Sequence, residues 1–407
     1  MHQKVVVTGL GALTSMGADA AALWDGLKHA RSAIAPLQRF DVEKYRTRIG
    51  GEVTADVSAL LGWNVASLSR NAQFSLAAAA DALADSGVLN IPTGGADIGI
   101  CLGSGLGGIY YSEEAIAALG KVGPRGVSPM TVPFVDPNSI VSQIAMKWGL
   151  TGRQFTVSTA CSSSAHAVGM AMEMIRYGRC DAVLTGGVEA TISPLVFAGF
   201  DRLRAMSARN DTPTLACRPF SDDRDGFVMA EGAAMLMLES EAHAKARGAK
   251  IYAQVLGYGA TGGAFHAVMP RPDGSDLVAS MTRALADAGV QAGQIDMINP
   301  HGTGTMLNDE AERVALQALF GAHLADIAVT PTKQLTGHLL GAAGAIESLH
   351  LVKSIAESCV TPIAHVNGTS GLNIRTGEAY DRRIQYAVNN SFGFGNNNVS
   401  LVFGAYA

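Results

Sequence analysis

The sequence lacks several features that would assign it to particular classes of protein. It has no uninterrupted apolar run of the ~20 residues that a bilayer-spanning helix needs. Its net charge is −5, and no stripe rich in arginine and aromatic residues suggests a nucleic-acid partner. Its cysteines form no CxxC pair and no metal-ligand spacing: they are Cys101, Cys161, Cys180, Cys217 and Cys359. We therefore expect no membrane span, no nucleic acid and no metal.

The N-terminus and the cysteines also bear on location. Residues 4–9 read as a buried strand, so no charged leader precedes an apolar signal core. An odd number of widely spaced cysteines is typical of reduced thiols and not of a disulfide framework. The sequence predicts a cytoplasmic protein.

The composition and the hydrophobic pattern indicate a layered α/β enzyme. The chain has 407 residues, of which 48% are hydrophobic, and it contains 47 glycines. A chain of this length buries a large core, and glycine favours tight turns and close packing. Strand-like runs alternate with helix-like runs, which predicts parallel strand pairing.

The two halves of the chain, 1–249 and 250–407, repeat this logic, and we interpret them as a pseudo-duplication that shares one interface. In the first half we predict strands at 4–9, 98–102 and 182–187, and helices at 19–30, 74–86 and after Cys161. In the second half we predict strands at 251–257, 295–300, 327–331, 386–390 and 399–403, and helices at 276–288 and 341–356. The loops 121–138 and 262–274 are lids, dimer contacts or ordinary surface loops.

Cys161 is the candidate nucleophile. It lies where a β-branched run, 154–159, meets a small-residue segment that reads as the start of a helix. Unpaired N–H groups at a helix N-terminus favour a thiolate, so we predict a lowered thiol pKa. A buried structural cysteine is the ordinary alternative.

Two further segments make a catalytic site the stronger interpretation. Residues 299–305 read Asn-Pro-His-Gly-Thr-Gly-Thr, and residues 332–338 read Thr-Lys-Gln-Leu-Thr-Gly-His. They place His301, Lys333 and His338 in glycine-rich turns. A thiol, two histidines and a lysine in such turns predict one site.

These motifs, together with Val-Val-Val-Thr-Gly-Leu-Gly at 5–11, Arg-Pro-Phe-Ser-Asp-Asp-Arg-Asp-Gly-Phe at 218–227 and Asn-Ser-Phe-Gly-Phe-Gly at 390–395, resemble the β-ketoacyl-acyl-carrier-protein synthases over essentially the whole chain. These are condensing enzymes of the thiolase superfamily with a Cys-His-His triad. The resemblance implies a thiolase-like α-β-α-β-α fold and decarboxylative condensation of an acyl thioester with malonyl-acyl carrier protein. It also implies no metal or organic cofactor, and a homodimer or a heterodimer with an interface around 130–145.

The resemblance assigns roles in the reaction. Cys161 would carry the acyl group, and His301 and His338 would hydrogen-bond the malonyl thioester carbonyl. The backbone N–H groups of Cys161 and Phe394 would form the oxyanion hole. Lys333 would organise charge around His338, with Glu347 as its partner or Glu312 as the alternative.

It also assigns binding roles, each with an ordinary alternative. Thr303 and Thr305 would bind the pantetheine arm, or only cap the turn after His301. Leu106 would limit the acyl pocket, or be a core leucine. Phe394 would gate the pocket. Arg204 would contact the acidic carrier protein, or lie on a solvated face.

The chain departs from the family pattern at three positions. The family loop Gly-Phe-Gly-Gly-Thr-Asn reads Gly-Phe-Gly-Asn-Asn-Asn at 393–398, so Asn396 replaces a glycine and Asn397 a threonine. Val268 stands where a threonine is usual. We expect a less mobile Phe394 gate and a specialised synthase of secondary metabolism or modified lipids.

Three alternatives stay open at this point. Residues 103–108 formally satisfy GxGxxG, but no acidic residue about 20 positions later supports dinucleotide binding. A non-catalytic chain-length partner subunit would lack the nucleophile that Cys161 supplies. A thiolase acting on coenzyme A thioesters would place a second cysteine where this chain has His338.

Overall fold

The structure is a computed structural model that describes residues 2–90, 97–368 and 371–406. Strands of the first half are β1 (Val5–Thr14), β2 (Ala35–Pro36), β3 (Ile49–Gly50), β4 (Gly99–Gly103), β5 (Gln154–Val157), β6 (Ala182–Glu189) and β7 (Gly232–Ser240). Its helices are α1 (Ala20–Lys28), α2 (Val57–Leu61), α3 (Arg70–Ser86), α4 (Ile109–Val122), α5 (Thr131–Val135), α6 (Ser139–Trp148), α7 (Ser163–Arg176), α8 (Pro194–Arg202) and α9 (Glu241–Ala246).

The second half is built in the same way. Its strands are β8 (Ala253–Gly262), β9 (Met297–Asn299), β10 (Ala328–Val329), β11 (Cys359–Val360), β12 (Tyr380–Asp381), β13 (Tyr386–Gly393) and β14 (Asn397–Gly404). Its helices are α10 (Ser275–Ala288), α11 (Met306–Phe320), α12 (Lys333–Thr336) and α13 (Ala343–Glu357). In the described ranges, no helix is both long and apolar enough to cross a membrane.

The main sheet shows that the halves are duplicates. Its order is β10-β9-β13-β14-β8-β1-β7-β6-β4-β5, so each half contributes five strands of the described chain. In both halves the first strand pairs antiparallel with the fifth, and the fifth antiparallel with the fourth. The fourth then pairs parallel with the second, and the second with the third. This shared order confirms the predicted pseudo-duplication.

The helices form the other layers. Helix α3 covers β1 and β7 on one outer face, and α10 covers β8 and β14 on the other. Helices α7 and α13 pack against each other between the two halves. They approach closely because Gly344 has no side chain: a Cβ there would lie 2.8 Å from the Cβ of Ala165. The result is the α-β-α-β-α fold that the resemblance implies.

Most predicted elements are present, with shifted ends. The helix predicted at 74–86 begins at Arg70 and ends before Gly87, whose φ of +62° closes it. The strand predicted at 251–257 is β8, which runs from Ala253 to Gly262. Strand β7 was not predicted, because its run is composed mainly of alanine, methionine and leucine, which are strong helix formers and not the β-branched residues of the other buried strands.

Candidate active site

The duplication brings Cys161 and His338 together. Cys161 lies between β5 and α7, and His338 lies between β10 and α13, which are the equivalent places in the two halves. His338 is fixed to the first half because its N–H donates to the Val228 carbonyl (2.7 Å) and its carbonyl accepts from Ala230 N–H (3.0 Å). Its Nε2 lies 3.2 Å from the sulfur of Cys161.

The backbone around Cys161 forms a sharp turn. Ala160 has a φ of +54°, a conformation that L-residues rarely adopt and that costs energy to hold. Gly393 packs directly on this turn: a Cβ there would lie 2.8 Å from the Thr159 carbonyl oxygen and 3.2 Å from Cys161 N. This close approach brings the Phe394 N–H into hydrogen-bonding reach of the thiol. Both predicted oxyanion-hole groups therefore lie beside the sulfur.

The predicted lowering of the thiol pKa is wrong. Burial raises the pKa of Cys161 to about 12, since a buried thiolate loses its hydration. The Lys333 cation and the Phe394 N–H act in the opposite direction but do not offset burial. The resting residue is a neutral thiol, and its proton must be accepted by another group when it reacts.

Two buried carboxylates of α11 shape the turn that carries His301. Glu312 accepts from the N–H groups of His301 and Gly302, both at 2.8 Å. Asp309 accepts from the N–H groups of Gly304 (3.1 Å) and Phe220 (2.8 Å). Burial raises the pKa of Glu312 to about 7, and burial also raises the pKa of Asp309. Sequence reasoning missed Asp309, although acidic residues three apart at the start of α11 were a usable signal.

Lys333 is a buried cation, with only 2% of its surface exposed. Its Nζ donates to the His301 carbonyl at 2.6 Å and forms an ion pair with Glu347. Burial raises the pKa of Glu347 to about 7, and Lys333 opposes that shift. Of the two predicted partners, the structure thus places Glu347 on the lysine, whereas Glu312 bonds the His301 turn.

Both site histidines are neutral. Burial, with the nearby Lys333 cation, lowers the pKa of His301 and of His338 well below the ordinary value. Their ring centroids are 5.4 Å apart and their planes are nearly perpendicular. The Nδ1 atoms of both rings are buried without a partner among the described residues. Since an unpaired buried N–H is costly, the tautomer with hydrogen on Nε2 is favoured when that atom has an acceptor.

A cavity of about 400 Å³ opens onto these groups. Predicted site residues along its wall are Cys161, Arg204, Thr303, Thr305, Val268, His301, His338 and Phe394. Part of the loop 262–274 forms this wall, so it is not an ordinary surface loop.

The two threonines face the cavity with free bonding capacity. Thr305 is the N-cap residue of α11, yet its side chain makes no capping bond. Its hydroxyl lies 3.0 Å from the hydroxyl of Thr303. The Thr305 side chain therefore does not cap α11, and its contact with Thr303 lies within the turn after His301.

Leu106 does not line this cavity. It is 43% exposed, and its turn packs on residues 134–137, where a Cβ on Gly107 would lie 2.9 Å from Pro137. Leu106 is therefore not a core leucine.

Sequence reasoning also missed Glu189, which lies at the end of β6. Its carboxylate accepts from the N–H groups of Gly105 (2.7 Å), Leu106 (3.2 Å) and Gly341 (2.8 Å). Burial raises the pKa of Glu189 to about 7. Because these amides already bind a carboxylate, the 103–108 turn has no free N–H cradle for a pyrophosphate, and the dinucleotide alternative fails.

Comparisons with known proteins agree with this geometry. A model of the β-ketoacyl synthase N-terminal domain matches residues 2–244, and one of the C-terminal domain matches residues 252–367. The chain belongs to the β-ketoacyl synthase family. A 3-oxoacyl-[acyl-carrier-protein] synthase 2 of Vibrio cholerae is 40% identical, over 98% of this chain and 99% of its own length.

Two solved structures of the family are similar over their full length. The ishigamide ketosynthase/chain length factor has a TM-score of 0.92 at 30% identity, and 100% of both chains is covered. A ketosynthase in complex with its type II polyketide acyl-carrier protein and bound to a hexaketide has a TM-score of 0.89 at 30% identity, with the same coverage. The predicted family and fold of this β-ketoacyl synthase are confirmed.

Proposed function

We propose that this β-ketoacyl synthase condenses an acyl thioester, held on Cys161, with malonyl-acyl carrier protein and releases a β-ketoacyl-acyl carrier protein. The observation that carries the proposal is the contact of 3.2 Å between Cys161 sulfur and His338 Nε2, in a cavity that His301 also lines. The names of its relatives, which are synthases acting with an acyl-carrier protein, support the same reaction.

The first half-reaction transfers the acyl group. Cys161 sulfur attacks the thioester carbonyl carbon and its S–H proton is transferred to the carrier sulfur, while His338 keeps its own hydrogen on Nε2. The N–H groups of Cys161 and Phe394 hold the oxyanion, and one such donor is typically worth about 3 kcal/mol. When the carbon–sulfur bond to the carrier breaks, the leaving thiolate takes the proton. This splits one hard displacement into two easier ones.

The second half-reaction forms the carbon–carbon bond. Breaking the bond between the malonyl carboxylate and its neighbouring carbon releases carbon dioxide and leaves an enolate. The Nε2–H groups of His301 and His338 donate hydrogen bonds to the enolate oxygen and stabilise it. Because both rings are neutral, they can donate in this way without first losing a proton. The enolate carbon attacks the acyl carbon on Cys161. Collapse of the tetrahedral intermediate expels the Cys161 thiolate, which takes up one proton from solvent water because burial raises its pKa.

The remaining residues position these groups and the substrates. Lys333, with Glu347, holds the His301 carbonyl, and Glu312 holds the two following N–H groups from the other side. Thr303 and Thr305 bind the pantetheine arm.

The carrier protein and the acyl chain of the substrate contact different parts of the enzyme. Arg204, at the cavity mouth, contacts the acidic carrier protein. Leu106 contributes to an acyl pocket completed by residues around 130–145 at a dimer interface, since its turn already packs on residues 134–137. The substrates travel on phosphopantetheine, so the scheme uses no other cofactor, and we place the enzyme in the cytoplasm.

A partner-dependent ketosynthase subunit is the second candidate. It is favoured by the similarity to a ketosynthase/chain length factor structure at 30% identity. Cys161, His301 and His338 are all present, so in such a pair this chain is the catalytic member. A secondary-metabolite or modified-lipid product fits either form, as do a homodimer and a heterodimer.

The two half-reactions separate the proposed roles. Acylation is measured with acyl-carrier protein alone. Decarboxylation is measured separately, as the release of carbon dioxide from malonyl-carrier protein. His301→Ala, which leaves the contact between Cys161 and His338 in place, should retain acylation and lose decarboxylation. Cys161→Ala should lose acylation and condensation. Condensation at the wild-type rate by Cys161→Ala would contradict the proposal.

A further inference from the structure

The residue that departs from the family loop, Asn396, joins two walls of the cavity. One wall is the Phe394 loop, defined as residues 393–397, and the other is the facing segment, defined as residues 263–269. Asn396 is 4% exposed and has a φ of +55°. Asparagine adopts this left-handed conformation more readily than other non-glycine residues, so the position tolerates it at low strain.

The side chain of Asn396 makes three hydrogen bonds to backbone groups of the facing segment. Its Oδ1 accepts from the N–H groups of Phe265 (3.0 Å) and His266 (3.1 Å). Its Nδ2 donates to the carbonyl of Met269 (2.9 Å). The amide thus satisfies donors at one end of the segment and an acceptor at the other.

Two backbone bonds run between the same elements. Gly263 N–H donates to the Asn396 carbonyl (2.9 Å), and Gly395 N–H donates to the Ala267 carbonyl (2.8 Å). A glycine at 396 would keep these two bonds and lose the three that the side chain makes. The amide therefore supplies most of the bonding between the two walls.

We propose that Asn396 is a positioning residue that makes the Phe394 loop and the facing segment move as one unit. Held in this way, Phe394 keeps its N–H at the Cys161 thiol between turnovers, and opening the mouth requires both walls to shift together. The effect on gating rests on the proposed function, whereas the hydrogen-bonded link between the two walls does not. Asn396 then discriminates between acyl chains of different length. Long chains can enter only when the cavity mouth opens, whereas short chains enter without that opening.

Hydrogen exchange tests the link that Asn396 makes between the two walls, and it needs no substrate. In Asn396→Ala and Asn396→Gly, the amides of Phe265 and His266 lose their acceptor and should exchange about tenfold faster, equivalent to about 1.4 kcal/mol of opening free energy. Asn397→Thr is the matched control, because within the described ranges the side-chain amide of Asn397 donates to the Phe394 carbonyl of its own loop and not to the facing segment. Unchanged exchange at 265–266 in both Asn396 variants would overturn the proposal.

Acylation rates test the consequence for gating. Both Asn396 variants should acylate severalfold faster than wild type with a long acyl-carrier protein and equally fast with a short one. Alanine is strained at this φ and glycine is not, so a shared response assigns the effect to the lost amide and not to backbone freedom. A chain-length profile like that of the wild type, with exchange accelerated, would overturn the gating role. If the wild type itself is never acylated, the proposed function fails. The exchange result still shows whether Asn396 links the two walls.

Discussion

Replacing Lys333 with methionine removes a cation from a site where water cannot replace it. Glu347 loses its ion-pair partner and the His301 carbonyl loses a donor at 2.6 Å. Removing one member of a buried pair typically costs about 3–5 kcal/mol of unfolding free energy. We expect Lys333→Met to fall in this range near pH 8 and to slow malonyl decarboxylation.

The loss of unfolding free energy should depend on pH, because protonation of Glu347 removes the unpaired buried charge. Burial already raises the pKa of Glu347 to about 7, and removing Lys333 removes the opposing effect. The folded variant then holds a proton that the unfolded chain releases above about pH 4.3. Its stability therefore falls as pH rises through and beyond that value, and the deficit against wild type should be smaller at pH ~6 than at pH ~8.

A double-mutant cycle with Glu347→Gln isolates the pair. Urea unfolding at fixed protein concentration is measured for the wild type, both single variants and the double variant. The double variant should lose about 2 kcal/mol less than the sum of the singles, since it buries no unpaired charge. Additivity within about 0.5 kcal/mol at pH ~8, where Glu347 is charged in the unfolded chain and its unpaired burial costs most, would refute the reasoning.

Three further predictions concern the thiol, the pantetheine site and the carrier. The alkylation rate of Cys161 by iodoacetamide should rise steadily between about pH 7 and about pH 9, because burial raises its pKa to about 12; a plateau near neutral pH would contradict this. Thr303→Val and Thr305→Val should raise the KM for malonyl-carrier protein about tenfold with little change in kcat, whereas a fall in kcat alone would argue against pantetheine binding. Arg204→Glu should weaken carrier binding in low salt and converge with wild type in high salt, so a salt-independent effect would remove the electrostatic role.

The parts of the site that follow from local sequence were predictable. Cys161 and His338 occupy equivalent turns after β5 and after β10, and strand periodicity with glycine-rich turns was enough to place each. The duplicated fold then brings the two turns into contact. The same holds for most strands, although β7 was missed because its alanine, methionine and leucine residues are typical of helices.

The parts that depend on distance between elements were not predictable. Glu347 was the expected partner of Lys333 and Glu312 the alternative, and only their positions in the fold show that Glu347 pairs with the lysine whereas Glu312 accepts from the His301 turn. The thiol pKa depends on burial, which outweighs the helix N-terminus that the sequence shows. Glu189 has no spacing signal at all, because its three N–H donors come from two distant segments.

Intact-protein mass spectrometry tests the central claim most directly. The enzyme is incubated with acyl-carrier proteins of several chain lengths and then with malonyl-carrier protein, and the adduct is mapped by peptide. We predict a mass gain at Cys161 that disappears on malonyl addition as a β-ketoacyl-carrier protein forms. An adduct at another residue, or an acyl-Cys161 that malonyl-carrier protein does not discharge, would contradict the account.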